Sequence, residues 1–124
     1  MPITTLAVDD PLTAAKVNEI IDALNAIAVS TINFDGTGAV SIRSMSGNIS
    51  GVTRLLPGAY RISFLTSMSD DDYVVAGMCS PNVGNDTGFV QLQNQSVNSF
   101  DIYCRNDDGG ANDCSIVTIT VFGS

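Results

Sequence analysis

The stretch Tyr60-Arg61-Ile62-Ser63-Phe64 alternates without a break, placing Tyr60, Ile62 and Phe64 on one face of an extended chain and Arg61 and Ser63 on the other. A strand with one apolar and one polar face has to bury the first against a second layer, so these five residues already call for a sheet packed on something. Pro57-Gly58 just ahead reads as a turn, and before it Ile49 to Arg54 forms a further run of the same kind. Outward in both directions the pattern repeats every eight to twelve residues, with runs at Ile32 to Phe34, Val40 to Arg43, Tyr73 to Met78, Phe89 to Gln93, Phe100 to Cys104 and Ser115 to Phe122. Asp35-Gly36, Thr37-Gly38 and Asp108-Gly109-Gly110 punctuate them with turn chemistry. The last run, Ser115-Ile116-Val117-Thr118-Ile119-Thr120-Val121-Phe122, is apolar on parts of both faces, which suits the middle of a sandwich or a seam between subunits and argues against an exposed edge. The expected fold of residues 30–124 is a mainly β, antiparallel, jelly-roll-like β-sandwich of about eight strands.

Upstream the period changes. Val17, Ile20, Leu24 and Ile27 recur at spacings of three, four and three, with Lys16, Glu19, Asp22 and Asn25 opposite, so residues 13–29 read as an amphipathic helix. Its start is either Asp10 ahead of Pro11 or Thr13 as a later cap. With Val17 and Leu24 at heptad position a and Ile20 and Ile27 at d, the stripe disfavours dimers and leans to a trimer. The competing reading lays the helix on its own β-domain, and Ile21, off the stripe, favours that reading. A helix of this length is marginal alone in water, so it has to pack on one or the other. Residues 1–12, with Ile3, Leu6 and Val8 in an otherwise polar segment, are expected to form an N-terminal anchoring arm.

Composition narrows function. The 124 residues are 44% apolar but only 15% charged, against a typical ~25%, so Ser, Thr, Asn and Gly supply much of the polar surface. Five basic against thirteen acidic residues give a net charge of −8, which leaves little counterion release to drive nucleic-acid binding. No apolar run approaches the ~20 residues that span a bilayer, and Met1-Pro2-Ile3-Thr4-Thr5 lacks the basic start of a signal peptide, so no membrane partner is expected. The chain contains no histidine, which removes Ser/His/Asp and Cys/His nucleophilic sites and His-ligated metals together. No catalytic residue, cofactor or metal site is expected. Cys79, Cys104 and Cys114 lack C-x-x-C spacing and read as buried small hydrophobes, with a Cys104–Cys114 bridge as the alternative. Asp70-Asp71-Asp72, and Asn106-Asp107-Asp108 with Asp113, gather hard oxygen ligands that calcium uses, but neither has EF-hand spacing and both read as solvated turns. Tyr60, Tyr73 and Tyr103, in a chain without tryptophan, form no evident stacking platform for sugars.

Three stretches taken together, Asn33-Phe34-Asp35-Gly36-Thr37-Gly38-Ala39-Val40-Ser41-Ile42-Arg43, Asn48-Ile49-Ser50-Gly51-Val52-Thr53-Arg54 and Gly58-Ala59-Tyr60-Arg61-Ile62-Ser63-Phe64, resemble a β-module of tailed-bacteriophage virion proteins. Met68-Ser69-Asp70-Asp71-Asp72-Tyr73-Val74-Val75 and the closing Val117-Thr118-Ile119-Thr120-Val121-Phe122-Gly123 are similar to the same module, and Leu12-Thr13-Ala14-Ala15-Lys16-Val17-Asn18-Glu19-Ile20 looks like the start of a fibre stem. The resemblance implies a structural, non-enzymatic virion protein, assembled in the host cytoplasm: a homotrimer that decorates the capsid as a cement or short head-fibre protein, with the major capsid protein as partner. The alternative is a tail-fibre tip that recognises a host-surface glycan and partners a fibre or tail protein. A helix of four turns spans only ~20 Å, short for a fibre shaft, and this favours decoration. The expected oligomer interface is Val17, Ile20, Leu24, Ile27, Ile119 and Val121, and the expected capsid anchor is Ile3, Leu6 and Val8.

Overall fold

A computed structural model describes residues 13–25, 28–81, 88–106 and 109–124. One helix, α1 (Ala14–Asn25), precedes eight strands: β1 (Val29–Asp35), β2 (Ser41–Ser46), β3 (Ile49–Leu56), β4 (Ala59–Phe64), β5 (Val74–Pro81), β6 (Gly88–Gln93), β7 (Ser99–Asn106) and β8 (Cys114–Phe122). The strands form two four-stranded antiparallel sheets, one in the order β2-β1-β8-β5 and the other in the order β3-β4-β7-β6. The eight runs read from alternation each fall on one of these strands. The helix is shorter than the expected 13–29, since Val29 already pairs with Phe122 as the first residue of β1.

Alternation decides which residues meet between the sheets. From the first sheet Ile32 and Phe34 of β1 and Val117, Ile119 and Val121 of β8 point inward; from the second come Tyr60, Ile62 and Phe64 of β4 and Phe100, Ile102 and Cys104 of β7. All are buried. At about 25 cal/mol per Å² of apolar surface removed from water, each large side chain here contributes roughly 1.5–3 kcal/mol. Aromatic pairs, edge-on for Phe34–Tyr60 and Phe64–Tyr73 and tilted for Phe64–Phe100, close the core at both ends. Phe34 and Tyr60 lie 5.1 Å apart near the β1–β2 turn, and Phe64 packs 5.1 Å from Tyr73 and 5.8 Å from Phe100 at the opposite end, beside the start of β1.

The turns follow the local chemistry. Asp35 Oδ1 accepts the Thr37 backbone N–H at 2.9 Å, making an Asx turn between β1 and β2. Between β3 and β4, Gly58 sits at φ +76° against Asn112, where the nearest backbone atom would lie 2.6 Å from a Cβ, so only glycine fits. The hydroxyl of Tyr73 donates to the Ser96 carbonyl at 2.7 Å, pinning the β6–β7 connection to the core, and burial pushes its pKa up to about 12.

Candidate functional site

The N-terminal helix starts at the later of its two possible caps: Thr13 Oγ1 accepts the Lys16 N–H at 3.2 Å, and the Thr13 carbonyl accepts from Val17 at 3.0 Å. Val17 is half-buried, while Ile20 is 42% exposed and Ile21 is exposed beside it. Among the described residues no strand packs on α1 beyond a grazing contact, so the reading in which the helix lies along its own sandwich does not hold for them. Ile27 and the arm residues Ile3, Leu6 and Val8 lie outside the described residues, as does the side chain of Leu24.

The C-terminal strand requires a correction. Ile119 and Val121, expected at an oligomer interface, are fully buried within the protomer, because β8 runs between β1 and β5 with these two side chains directed into the core. They have no surface to give to a neighbour. The residues of opposite parity face outward: Ile116, Thr118, Thr120 and Phe122. Register aligns them with outward residues of the flanking strands. Val29, Phe122 and Val74 form one cross-strand row, Thr31, Thr120 and Ala76 the next, and Asn33, Thr118 and Met78 a third. Met78 is 78% exposed and Val74 60%, and Ile116, Phe122 and Val29 are each exposed over nearly half their surface. None of these positions carries a charge. The nearest ion pair on this sheet is Arg43–Asp35, 3.5 Å apart at the β1–β2 end. Within the face Asn33 Oδ1 is shielded from water and has no hydrogen-bond partner, an acceptor left open where buried acceptors are ordinarily satisfied. These three rows make an uncharged, partly apolar surface of threonine, methionine and aromatic carbon.

The other sheet turns a different face outward. Arg61 grips Asp101 through two bonds of 2.8 and 3.1 Å, Asn94 donates to the same carboxylate at 2.9 Å, and Asp101 is only 2% exposed. These donors, Arg61 first, hold its pKa below the usual carboxylate range. Arg105 lies 5.2 Å from the centre of the Tyr103 ring and donates to Gln91 at 2.6 Å. These polar groups therefore satisfy one another, beside the exposed apolar side chains of Phe89 and Leu56.

At the end of the sandwich away from the helix, Asp113 is a hub. It accepts from Arg54 Nε and Nη2 at 3.1 and 2.8 Å, from the Gly58 N–H at 2.9 Å and from the Tyr60 hydroxyl at 2.9 Å. The Arg54 guanidinium foremost pulls its pKa down, whereas burial and then the Asp113 carboxylate push the Tyr60 phenol up. Asp113 is therefore engaged in structure rather than poised as a calcium ligand. Asp70 Oδ1 accepts the Asp72 N–H at 2.9 Å as an exposed turn; Asp107 and Asp108 lie outside the described residues.

Just inside this hub the three cysteines meet. Cys104 and Cys114 are buried and Cys79 is half-buried, much as their reading as small hydrophobes expects, and all are free thiols with no Cys104–Cys114 bridge. Their sulfurs lie within 4.8 Å of one another. Hydrogen bonds from the thiols of Cys104 and Cys114 pull the pKa of Cys79 down, and donation from Cys104 raises its own. Sequence spacing hid this convergence, because the three residues come from β5, β7 and β8 and meet only when the sheets close. No family model, curated protein or solved structure matches the chain.

Proposed function

We propose that this chain is a non-enzymatic structural virion protein of a tailed bacteriophage, a trimeric capsid-decorating subunit of the cement or short head-fibre type. In it the eight-stranded sandwich, whose same-sheet hairpins β1–β2, β3–β4 and β6–β7 depart from the jelly-roll order expected, forms the projecting knob, and residues 1–12 seat it on the major capsid protein. The phage assignment rests on the resemblance of the stretches from Asn33 to Phe64 and of the closing strand. The self-association reading is carried by one observation: the rows of the outer face that run across β1, β8 and β5, from Val29, Phe122 and Val74 to Asn33, Thr118 and Met78, are uncharged and partly apolar, and they begin, at Val29, at the end of the fold from which α1 leads away. A second copy covers these rows at low desolvation cost, since they carry no ion to strip of water, and a three-fold arrangement matches the heptad stripe of Val17, Ile20, Leu24 and Ile27. In that arrangement the interface residues on the strands are Phe122, Val74 and Met78.

Sedimentation velocity of the purified chain tests this. The wild type is expected to run as a trimer and Ile20→Asp as a protomer, because the variant sets three carboxylates against one another at an apolar seam. A wild type that stays a protomer at ~100 μM refutes self-association. A chain lacking residues 1–12 should remain trimeric but no longer sediment with capsids, and imaging of a tagged copy should place it over the capsid surface. A signal confined to the tail tip assigns the chain instead to the glycan-recognising fibre alternative.

A further inference from the structure

The three cysteines are the chain's whole complement, and they come from three strands of both sheets to one point: Cys79 on β5, Cys114 on β8, and Cys104 on β7 across the core. Packing alone does not require this, since a small apolar side chain fits equally well anywhere along a core that runs from Phe34 to Phe100. We propose that Cys79, Cys104 and Cys114 form a three-thiolate site for a divalent d10 cation, zinc in the native setting. The three sulfurs occupy one face of a tetrahedron, and the fourth position opens on the half-buried Cys79 side.

The geometry fits this ion. Two sulfurs held ~2.3 Å from a tetrahedral zinc stand about 3.8 Å apart, so the present triangle, no wider than 4.8 Å, has to contract by no more than about 1 Å along any edge. Ligand chemistry selects for softness: three sulfurs with no imidazole in the chain favour thiophilic ions over magnesium or calcium. Charge selects within that class. Three thiolates around a divalent ion leave one net negative charge inside the sandwich, whereas a cuprous ion leaves two, and each uncompensated buried charge is costly. The Arg105 backbone N–H lies toward the Cys79 sulfur as a second-sphere donor, whereas the Cys114 thiol donates to the Asn112 carbonyl at 3.6 Å, a bond that is given up when the ion replaces its proton. Binding replaces three S–H bonds by three S–metal bonds and releases three protons to solvent, with no change of oxidation state. Because Cys104 belongs to one sheet and Cys79 and Cys114 to the other, the ion ties the two layers together.

The test uses the reduced full chain without air, titrated with cadmium(II) alone, whose thiolate charge-transfer absorption reports the number of sulfurs bound, and then with zinc(II) alone. The expected result is one ion per chain, cadmium absorption of three-thiolate intensity, its displacement by zinc, and a thermal midpoint that rises with zinc and returns with chelator. Cys79→Ser, at the most exposed of the three, is expected to keep the fold by circular dichroism and to bind at least about 100-fold more weakly, beyond what outer-sphere changes cost. Cys114→Ser gives a second variant should the first unfold. Absence of the absorption band, a stoichiometry below one-half, unchanged affinity in the folded variant, or conversion of the thiols to a disulfide in preference to metal binding overturns the proposal.

Discussion

Removing the Asp113 carboxylate separates two views of what a buried charge does, and its outcome follows from what each partner does afterwards. In Asp113→Ala the Tyr60 hydroxyl keeps an acceptor, the Gly36 carbonyl at 2.8 Å, and Arg54, whose side chain is one-third exposed, turns to water. The Gly58 N–H has neither option: it is buried, faces the lost carboxylate and is left unpaired. An orphaned buried donor costs about 1–3 kcal/mol, and loss of a partly exposed ion pair adds up to about 1 kcal/mol, so the expected destabilisation is roughly 1–4 kcal/mol. With an unfolding entropy of about 0.26 kcal/mol/K for 124 residues, 3 kcal/mol corresponds to a fall in thermal midpoint of about 11 °C. Asp101→Ala is the control that makes the result informative. Asp101 is the more buried of the two, yet the Arg61 side chain that it holds is nearly half exposed and returns to solvent, so its loss is expected to cost only about 1–2 kcal/mol. Urea denaturation at one fixed protomer concentration, which keeps any association term constant, measures both. If Asp101→Ala proves the more damaging, burial of the acid rather than abandonment of its donor sets the cost, and the reasoning fails.

Acid should act through the same groups. Asp35, Asp101 and Asp113 all have folded pKa values below the ordinary carboxylate value of 3.8, so the unfolded chain binds protons first. Their contribution is whole above about pH 5 and is lost as pH falls through the depressed folded values; the thermal midpoint is expected to be level from pH 7 to 5 and to drop below 4, less steeply in Asp101→Asn and Asp113→Asn, and a drop already complete by pH 5 contradicts the assignment. Gly36→Ala tests steric rather than polar complementarity: an added Cβ would meet the buried Tyr60 ring, 2.5 Å from Cζ and closer still to the hydroxyl. Because that ring is locked against Phe34, the expected cost is about 1–3 kcal/mol by thermal melting, and a neutral result shows that the Tyr60 end of the core is loosely packed.

The eight strands were legible because alternation is a local property: Tyr60, Ile62 and Phe64 declare a buried face without reference to any other part of the chain, and the Asp-Gly and Pro-Gly pairs mark where each strand has to stop. The outer face was not, because β8 is apolar on both sides and alternation cannot say which parity faces out; that depends on which sheet lies across from it. Val117, Ile119 and Val121 go inward because Ile62, Phe64 and Phe100 meet them there, and Ile116 and Phe122 are exposed as the remainder. The cysteines fail to announce themselves for a related reason, since metal spacing rules describe ligands contributed by one turn or knuckle, whereas these arrive from three strands and two sheets. The two hidden features lie at different depths of the same strand: Cys114 opens β8 inside the core, and Phe122 ends it on the surface, eight residues along. A protein built this way couples its interior to its outer face through one central strand. Anything that ties the layers together at the Cys114 end, metal or otherwise, stiffens the strand whose other end presents the candidate surface for a second copy.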